Sequence, residues 1–183
     1  MSERAPLDRY DTPPFAVALL LRELPELRGR RLFDPCCGDG RMAAALAGRF
    51  EEVITNDIDP QTPTNNHHDL RRRWIWESVA PDWTVTNPPF CVVGQAMNLA
   101  LDYSRKGVAL LVRLSVLEVC KGRERIEAMP PNRIIVLPRI KFRGKGTDVV
   151  TCAWMVWLSE QTEPSAIRSV SKRTARSLEG IAA

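Results

Sequence analysis

The sequence predicts an α/β fold, a mainly parallel sheet covered on both faces with an antiparallel hairpin at its C-terminal end. Three observations carry this. Strand-type runs alternate with runs at helical spacing through most of the chain. One run, VALLVRL, is almost wholly apolar, as a strand buried on both faces requires. Two further strand-type runs, NRIIVLPRIKF and DVVTCAWMVWL, flank the turn-rich RGKGT, which is a hairpin pattern.

The elements follow in order. TPPFAVALLLRELPEL opens with Thr-Pro and has apolar residues at helical spacing, so a helix is expected from about Pro13. RGRRLFDP reads as a short strand ending at Asp34. GDGRMAAALAGRF reads as an alanine-rich helix from about Gly40 to Phe50. EEVITND is a second strand. IDPQTPTNNHHDL is dense in turn residues and leaves no room for a long helix. RRRWIWESVA is read as a helix, WTVT as the next strand, and VVGQAMNLALDYSRKG as a helix ending at Gly107. After VALLVRL, the stretch SVLEVCKGRERIEAM is expected as one helix, with Ser115 as its cap and Glu118 three residues on. Beyond Leu158 the chain turns polar. The reading is one domain over residues 1–160 and a basic, frayed tail over 161–183.

Composition narrows the function classes. The chain has 183 residues, 44% hydrophobic and 26% charged, enough for one full core. The apolar runs are too short, or too interrupted by charge, to span a bilayer, and MSERAPLDRY lacks the apolar centre of a signal peptide. Five cysteines on apolar segments, with no CxxC pair, suit reduced thiols in the cytoplasm of a bacterial or phage-infected cell rather than a disulfide framework or a metal site. His67 and His68 are read as loop residues. The net charge of +4 permits a polyanionic partner without demanding one.

In parallel α/β sheets, ligands sit beyond the C-terminal strand ends. The first strand ends in DPCCGDG, the second in NDID, and WTVT leads into NPPF, so these motifs are expected on one rim. Gly38 and Gly40 at a strand-to-helix turn let a ligand approach the backbone. Asp57 lies nineteen positions after Gly38. A carboxylate about 20 residues past a glycine turn is where a ribose diol is held. Gly-x-Gly alone is a tight turn; with Asp57 in register it points to a nucleoside cofactor. Ala43 stands where the dinucleotide fingerprint needs its third glycine. Asp34, ahead of the glycines, suits an amino-acid ammonium group instead.

DPCCGDG resembles the first motif of S-adenosylmethionine-dependent methyltransferases, and TNPPF resembles the fourth motif of their amino-methylating branch. The resemblance runs from about Tyr10 to Leu158. It implies a Rossmann-like class I methyltransferase sheet and S-adenosyl-L-methionine as cofactor. Asp34, Cys36, Gly38 and Gly40 would hold its methionine and ribose parts, Asp57 its ribose, and Ile58 its adenine. An acid after a third strand often meets the adenine amine, and HHDL offers Asp69 for this. The segment Tyr10-Asp11-Thr12-Pro13 resembles an extra cofactor motif of DNA adenine methyltransferases, so Tyr10 and Thr12 are expected over the methionine end.

NPPF carries the reaction in this reading. Methylating an exocyclic amine needs a lone pair that the ring has delocalised. Two acceptors for its N–H groups free that pair and stabilise the developing positive charge. Asn87 supplies a side-chain carbonyl, and Pro88 a backbone carbonyl aimed by the Pro88-Pro89 constraint. Phe90 supplies a stacking face worth roughly 1–3 kcal/mol in single-strand systems. No strong base or cysteine nucleophile is needed, so Cys91 is read as packing.

The expected partner is nucleic acid, DNA first. The hairpin LPRIKFRGKGTDVVTCAWMVW resembles the end of small phage-type DNA adenine methyltransferases, and the resemblance implies transfer to adenine N6, with the base flipped out of a duplex. RNA adenine-N6 or guanine-N2 transfer, and a non-catalytic nucleic-acid-binding subunit of the same fold, are the alternatives. Arg139, Lys141, Arg143 and Lys145 could meet phosphates, as could tail residues Arg168, Lys172, Arg173 and Arg176. No recognition domain of normal size is expected. Specificity would then come from loops 61–82 and 141–148, from a homodimer, or from a recognition subunit.

Overall fold

Two prolines start the first helix. Proline at the first helical position has its φ already set and no amide to leave unpaired, and here α1 runs Pro14–Glu23 behind Pro13. The computed structural model describes residues 11–119, 123–138, 140–141, 149–160 and 166–169. Strand β1 (Gly29–Asp34) follows, then α2 (Arg41–Leu46), a single 3-10 turn at Ala47–Arg49, and β2 (Phe50–Thr55). Next come α3 (Arg73–Val79), β3 (Trp83–Thr86), α4 (Val93–Tyr103) and β4 (Gly107–Arg113). The remaining elements are α5 (Val116–Val119), α6 (Arg123–Ala128), β5 (Arg133–Val136), β6 (Ile140–Lys141), β7 (Val149–Val150), β8 (Cys152–Leu158) and β9 (Ala166–Ser169).

Seven strands form one sheet in the order β2-β1-β3-β4-β8-β5-β9. All run parallel except β8, which lies antiparallel between β4 and β5. The β5–β8 pairing, Arg133 opposite Val156 through Val136 opposite Ala153, is the expected hairpin, and β6–β7 continue it as a separate two-stranded ladder.

The sheet is buried on both faces because its strands alternate two apolar sets. Leu32, Val85, Ala109, Leu111, Trp154 and Val156 point to the side of α1 and α2. Phe33, Val108, Leu110, Val112, Met155 and Trp157 point to the side of α3 and α4. Each fully buried leucine- or phenylalanine-sized side chain contributes roughly 1.5–3 kcal/mol by leaving water. Tryptophan brings a polar N–H into that core, and each needs an acceptor. Trp154 Nε1 donates to Ala16 O at 2.8 Å, fixing α1 on the sheet; Trp157 Nε1 donates to Met129 O at 2.8 Å, and Trp76 Nε1 to Leu70 O at 2.7 Å.

The structure corrects several expectations. The helix expected from Gly40 to Phe50 ends at Leu46, because Gly48 interrupts it and Phe50 already pairs with Gly29 in the sheet. The helix expected to reach Gly107 stops at Tyr103. The following amides turn to other carbonyls, Arg105 N to Pro81 O and Lys106 N to Asp82 O, and Gly107 opens β4. Of the single helix expected over 115–129, the described residues carry α5 and α6; positions 120–122 lie outside the described residues. WTVT is the third strand of the chain; no strand lies between β2 and Asp69, so Asp69 does not follow a third strand. Residues 166–169, expected within a frayed tail, form β9 and pair in parallel with β5.

Candidate functional site

Asp34 is the last residue of β1 and is wholly buried. The chain then turns through Pro35-Cys36-Cys37-Gly38-Asp39-Gly40. Gly38 (φ 55°) and Gly40 (φ 78°) both sit in the left-handed region, which explains the glycines at these two positions. Space is not the reason at Gly40, since an added Cβ would meet only Pro63, at 3.6 Å. The turn is pinned to the end of β2: Asn56 N donates to Asp34 O at 2.9 Å, and Cys37 N to Asn56 O at 3.0 Å.

Asp57 completes that link. Its Oδ2 accepts from Gly38 N at 2.9 Å and its Oδ1 from Asp59 N at 3.0 Å. The two residues singled out by their spacing therefore meet directly. Asn56, the residue before, is 1% exposed and acts as a bracket. Its Nδ2 donates to Pro35 O at 3.0 Å and His68 O at 2.9 Å, and its Oδ1 accepts from His68 N at 3.0 Å. This places the 66–70 loop on the rim with no strand before it. Sequence reasoning missed Asn56; an amide at a strand end beside a turn-rich loop was the available signal.

These residues enclose a cavity of about 530 Å³. Cys36, Gly38, Asp57, Ile58, Asp69, Asn87 and Pro89 line it, together with Arg71 and Cys91, which were not predicted to. Ile58 is 53% exposed, an apolar surface turned outward beside a cleft. Asp69 is gripped by Arg71 through both carboxylate oxygens, and that guanidinium holds its pKa below the ordinary carboxylate value. A small recess of about 20 Å³ adjoins, lined by Asp11, Thr12, Cys36, Gly38 and Asn87 among others. Thr12 thus lies where the turn and Asn87 meet. Gly40 stands behind the turn as the N-cap of α2.

The electrostatics centre on Asp34. Burial pushes its pKa up to about 7, against the pull of the neighbouring Thr86 hydroxyl and the Cys36 amide, and the nearby Asp57 charge adds to the rise. Its Oδ1 accepts one long bond from Cys36 N, 3.3 Å, and its Oδ2 has no hydrogen-bond partner. A buried acceptor left open costs free energy unless a ligand supplies a donor. Burial likewise raises Cys36 well above an ordinary thiol and Cys37 to about 12, so neither is a thiolate at neutral pH.

Asn87 follows β3 directly and lines both the cavity and the recess. Pro88 is buried; Pro89 faces the cavity. Phe90 is not among the cavity-lining residues. Its ring lies under the guanidinium of Arg113, whose central carbon is 3.7 Å from the ring centroid. His67 and His68 are exposed; His68 meets Trp74 edge-on at 4.9 Å. Among the described residues, no group of three or more His, Cys, Asp or Glu could hold a metal ion, and no helix is long and apolar enough to cross a membrane.

Tyr10, Arg139, Arg143, Lys145, Lys172, Arg173 and Arg176 lie outside the described residues. Lys141 is a backbone member of β6, and Arg168 of β9.

No family model and no curated protein matches the chain. Solved structures do. A modification subunit of a type I restriction enzyme from Vibrio vulnificus aligns over 90% of this chain and 48% of its own, at 14% identity and a TM-score of 0.67. A type I restriction-modification methyltransferase subunit from Streptococcus thermophilus aligns over 94% and 53%, at 11% identity and a TM-score of 0.67. The chain therefore spans about half the length of these two. A class I S-adenosylmethionine-dependent methyltransferase from Listeria monocytogenes aligns over 92% and 67%, at 14% identity and a TM-score of 0.58. The shared feature is the architecture, and the chain has the fold of class I S-adenosylmethionine-dependent methyltransferases.

Proposed function

We propose that the protein is an S-adenosylmethionine-dependent methyltransferase acting on the exocyclic N6 amine of adenine in DNA. The observation that carries this reading is the convergence of Gly38, Asp57 and Asn87, from three strand ends, around one cavity, with Asp34 buried at the base of the glycine turn. The residues fit the cofactor. Asp34 offers a buried carboxylate oxygen without a donor, which suits an ammonium group. Asp57, already bonded to the Gly38 amide, is placed for a ribose diol, and Ile58 for the adenine face. Asp69, oriented by Arg71, is an acceptor for the adenine amine. The volume suits a ligand of this size.

When bound, the cofactor supplies an electrophilic methyl group. The chain supplies positioning and electrostatics. Asn87 Oδ1 and the Pro88 carbonyl accept the two N–H groups of the target amine and so direct its lone pair. Phe90 supports the base. The proton released as the amine is alkylated leaves to water, so no strong base is required.

The restriction-modification neighbours favour DNA as the polymer. One observation favours RNA instead. A candidate RNA methyltransferase from Pyrococcus horikoshii aligns over 86% of this chain and 88% of its own, so it matches in size as the restriction subunits do not. Incubation with methyl-labelled S-adenosylmethionine and separate DNA, RNA and protein substrates decides. Label in DNA, recovered as N6-methyladenine, is expected. Label in RNA alone moves the assignment to the second polymer, and label in protein alone overturns both.

A further inference from the structure

We propose that Arg113 is the substrate-side cation of this site: it holds the Phe90 ring and takes the nucleic-acid phosphate beside the target base. This rests on the reading that the substrate is a nucleic acid. Arg113 ends β4, opposite Cys152 of β8. The β3–β4 register sets Thr86 opposite Leu110, so Arg113 lies three residues past the last paired position and Phe90 four. The two reach the same rim from neighbouring strands, and the guanidinium stacks on the ring at 3.7 Å.

The placement divides the motif into two sides. Asn87 and Pro89 face the cavity proposed for the cofactor, whereas neither Phe90 nor Arg113 lines it. A base that offers its amine to Asn87 while resting on Phe90 takes the ring face that the Arg113 guanidinium leaves open. It then meets a phenyl–guanidinium stack, with a positive charge within about one ring's reach. Arginine suits both tasks. It is planar enough to stack, permanently charged, and forked to grip phosphate oxygens. Arg113 is partly exposed, with its Nε buried. The exposed arginines 71–73 lack this position: Arg71 is bound to Asp69 on the cavity side.

Arg113→Met and Arg113→Lys test the assignment against wild type. Cofactor affinity is read by calorimetry, affinity for a fluorescent mixed-sequence DNA by anisotropy over a salt series, and turnover by label transfer. Arg113→Met should keep cofactor affinity within about twofold, weaken DNA binding about tenfold, and flatten the slope of log K against log salt by about 1. Arg113→Lys should restore the slope but only part of the turnover, since an ammonium does not stack as a guanidinium does. If wild type binds DNA and Arg113→Met binds it equally with the same slope, the assignment fails. It fails also if Arg113→Met loses cofactor and DNA affinity together, which marks a purely structural role. If wild type itself neither binds nor methylates nucleic acid, the substrate reading falls, and this one with it.

Discussion

Asp34 and Asp82 are both aspartates, both nearly buried, and both placed where a strand meets a rim of the sheet, yet their surroundings are opposite. Asp82 precedes β3 at the rim away from the cavity. Its Oδ2 accepts from Arg30 N at 2.6 Å and Arg31 N at 3.3 Å, and its Oδ1 accepts twice from Arg105, at 3.1 and 2.7 Å. Burial alone would raise its pKa; these donors outweigh it and hold the carboxyl below its ordinary value. Asp34, on the cavity rim, has one long bond, an open oxygen and a pKa near 7. The chain itself satisfies Asp82, whereas Asp34 Oδ2 is left without a hydrogen bond, next to the equally unpartnered Thr86 hydroxyl. Packing is tight at Asp82 itself: an added Cβ on Gly29 would lie 2.8 Å from Asp82 Oδ2.

The contrast predicts that changes at the cavity rim damage turnover and spare the fold, while changes at the far rim do the reverse. The largest effect is expected at Asn87. Asn87→Ala removes an acceptor placed where positive charge develops, and turnover should fall about 10²- to 10³-fold. Cofactor affinity by calorimetry and the thermal midpoint should stay near wild type. Unchanged turnover would remove Asn87 from the reaction. Asp82→Ala is the mirror experiment. It leaves two strand amides and a guanidinium without their acceptor, and should cost about 2–3 kcal/mol in urea unfolding. The exposed Arg105 adds little to that cost, since solvent screens it. Cofactor affinity of the folded fraction should be unchanged; a selective loss of affinity without loss of stability would erase the distinction between the rims.

How much of this the sequence disclosed follows the same line. Asp34, Gly38 and Asp57 were legible because their partners are close in sequence or fixed by strand–turn–helix spacing. Asp82 was not, because the amides it binds lie 51 and 52 residues upstream and only the β1–β3 pairing brings them near. Arg113 was read simply as part of a strand, since nothing local indicates that its end reaches Phe90. Asn56 was read only as part of the second strand's end, though its side chain ties two loops. Alternation and apolar runs disclosed the sheet, whose strands depend on local pattern. They did not disclose β9, whose four residues gain their pairing only from β5.

Asp57→Ala should have an intermediate effect. The turn loses the acceptor of the Gly38 amide, and the proposed ribose contact goes with it. Cofactor affinity should weaken roughly tenfold to a hundredfold, the value of one or two hydrogen bonds to a charged group. Calorimetry reads this directly, and an unaltered Kd would move the ribose elsewhere.

The smallest effect tests Asp34 itself, through pH. Its folded pKa, about 7, lies above the ordinary value of 3.8, so near neutral pH the folded protein holds a proton that the unfolded chain has already released. That proton favours the fold below pH 4 and is lost progressively as pH rises through 7. Between pH 6 and 8 the loss is on the order of 1 kcal/mol. Wild type should therefore lose about that much more stability over this range than Asp34→Asn, which cannot titrate. An ammonium-bearing ligand reverses the demand, because it needs the ionised form. Cofactor affinity should rise with pH through the same region in wild type and stay flat in Asp34→Asn. Urea titrations and calorimetry at pH 6 and pH 8 check both halves. A wild type whose stability and affinity both ignore pH would mean that Asp34 is already satisfied, like Asp82, and that the two rims do not differ in kind.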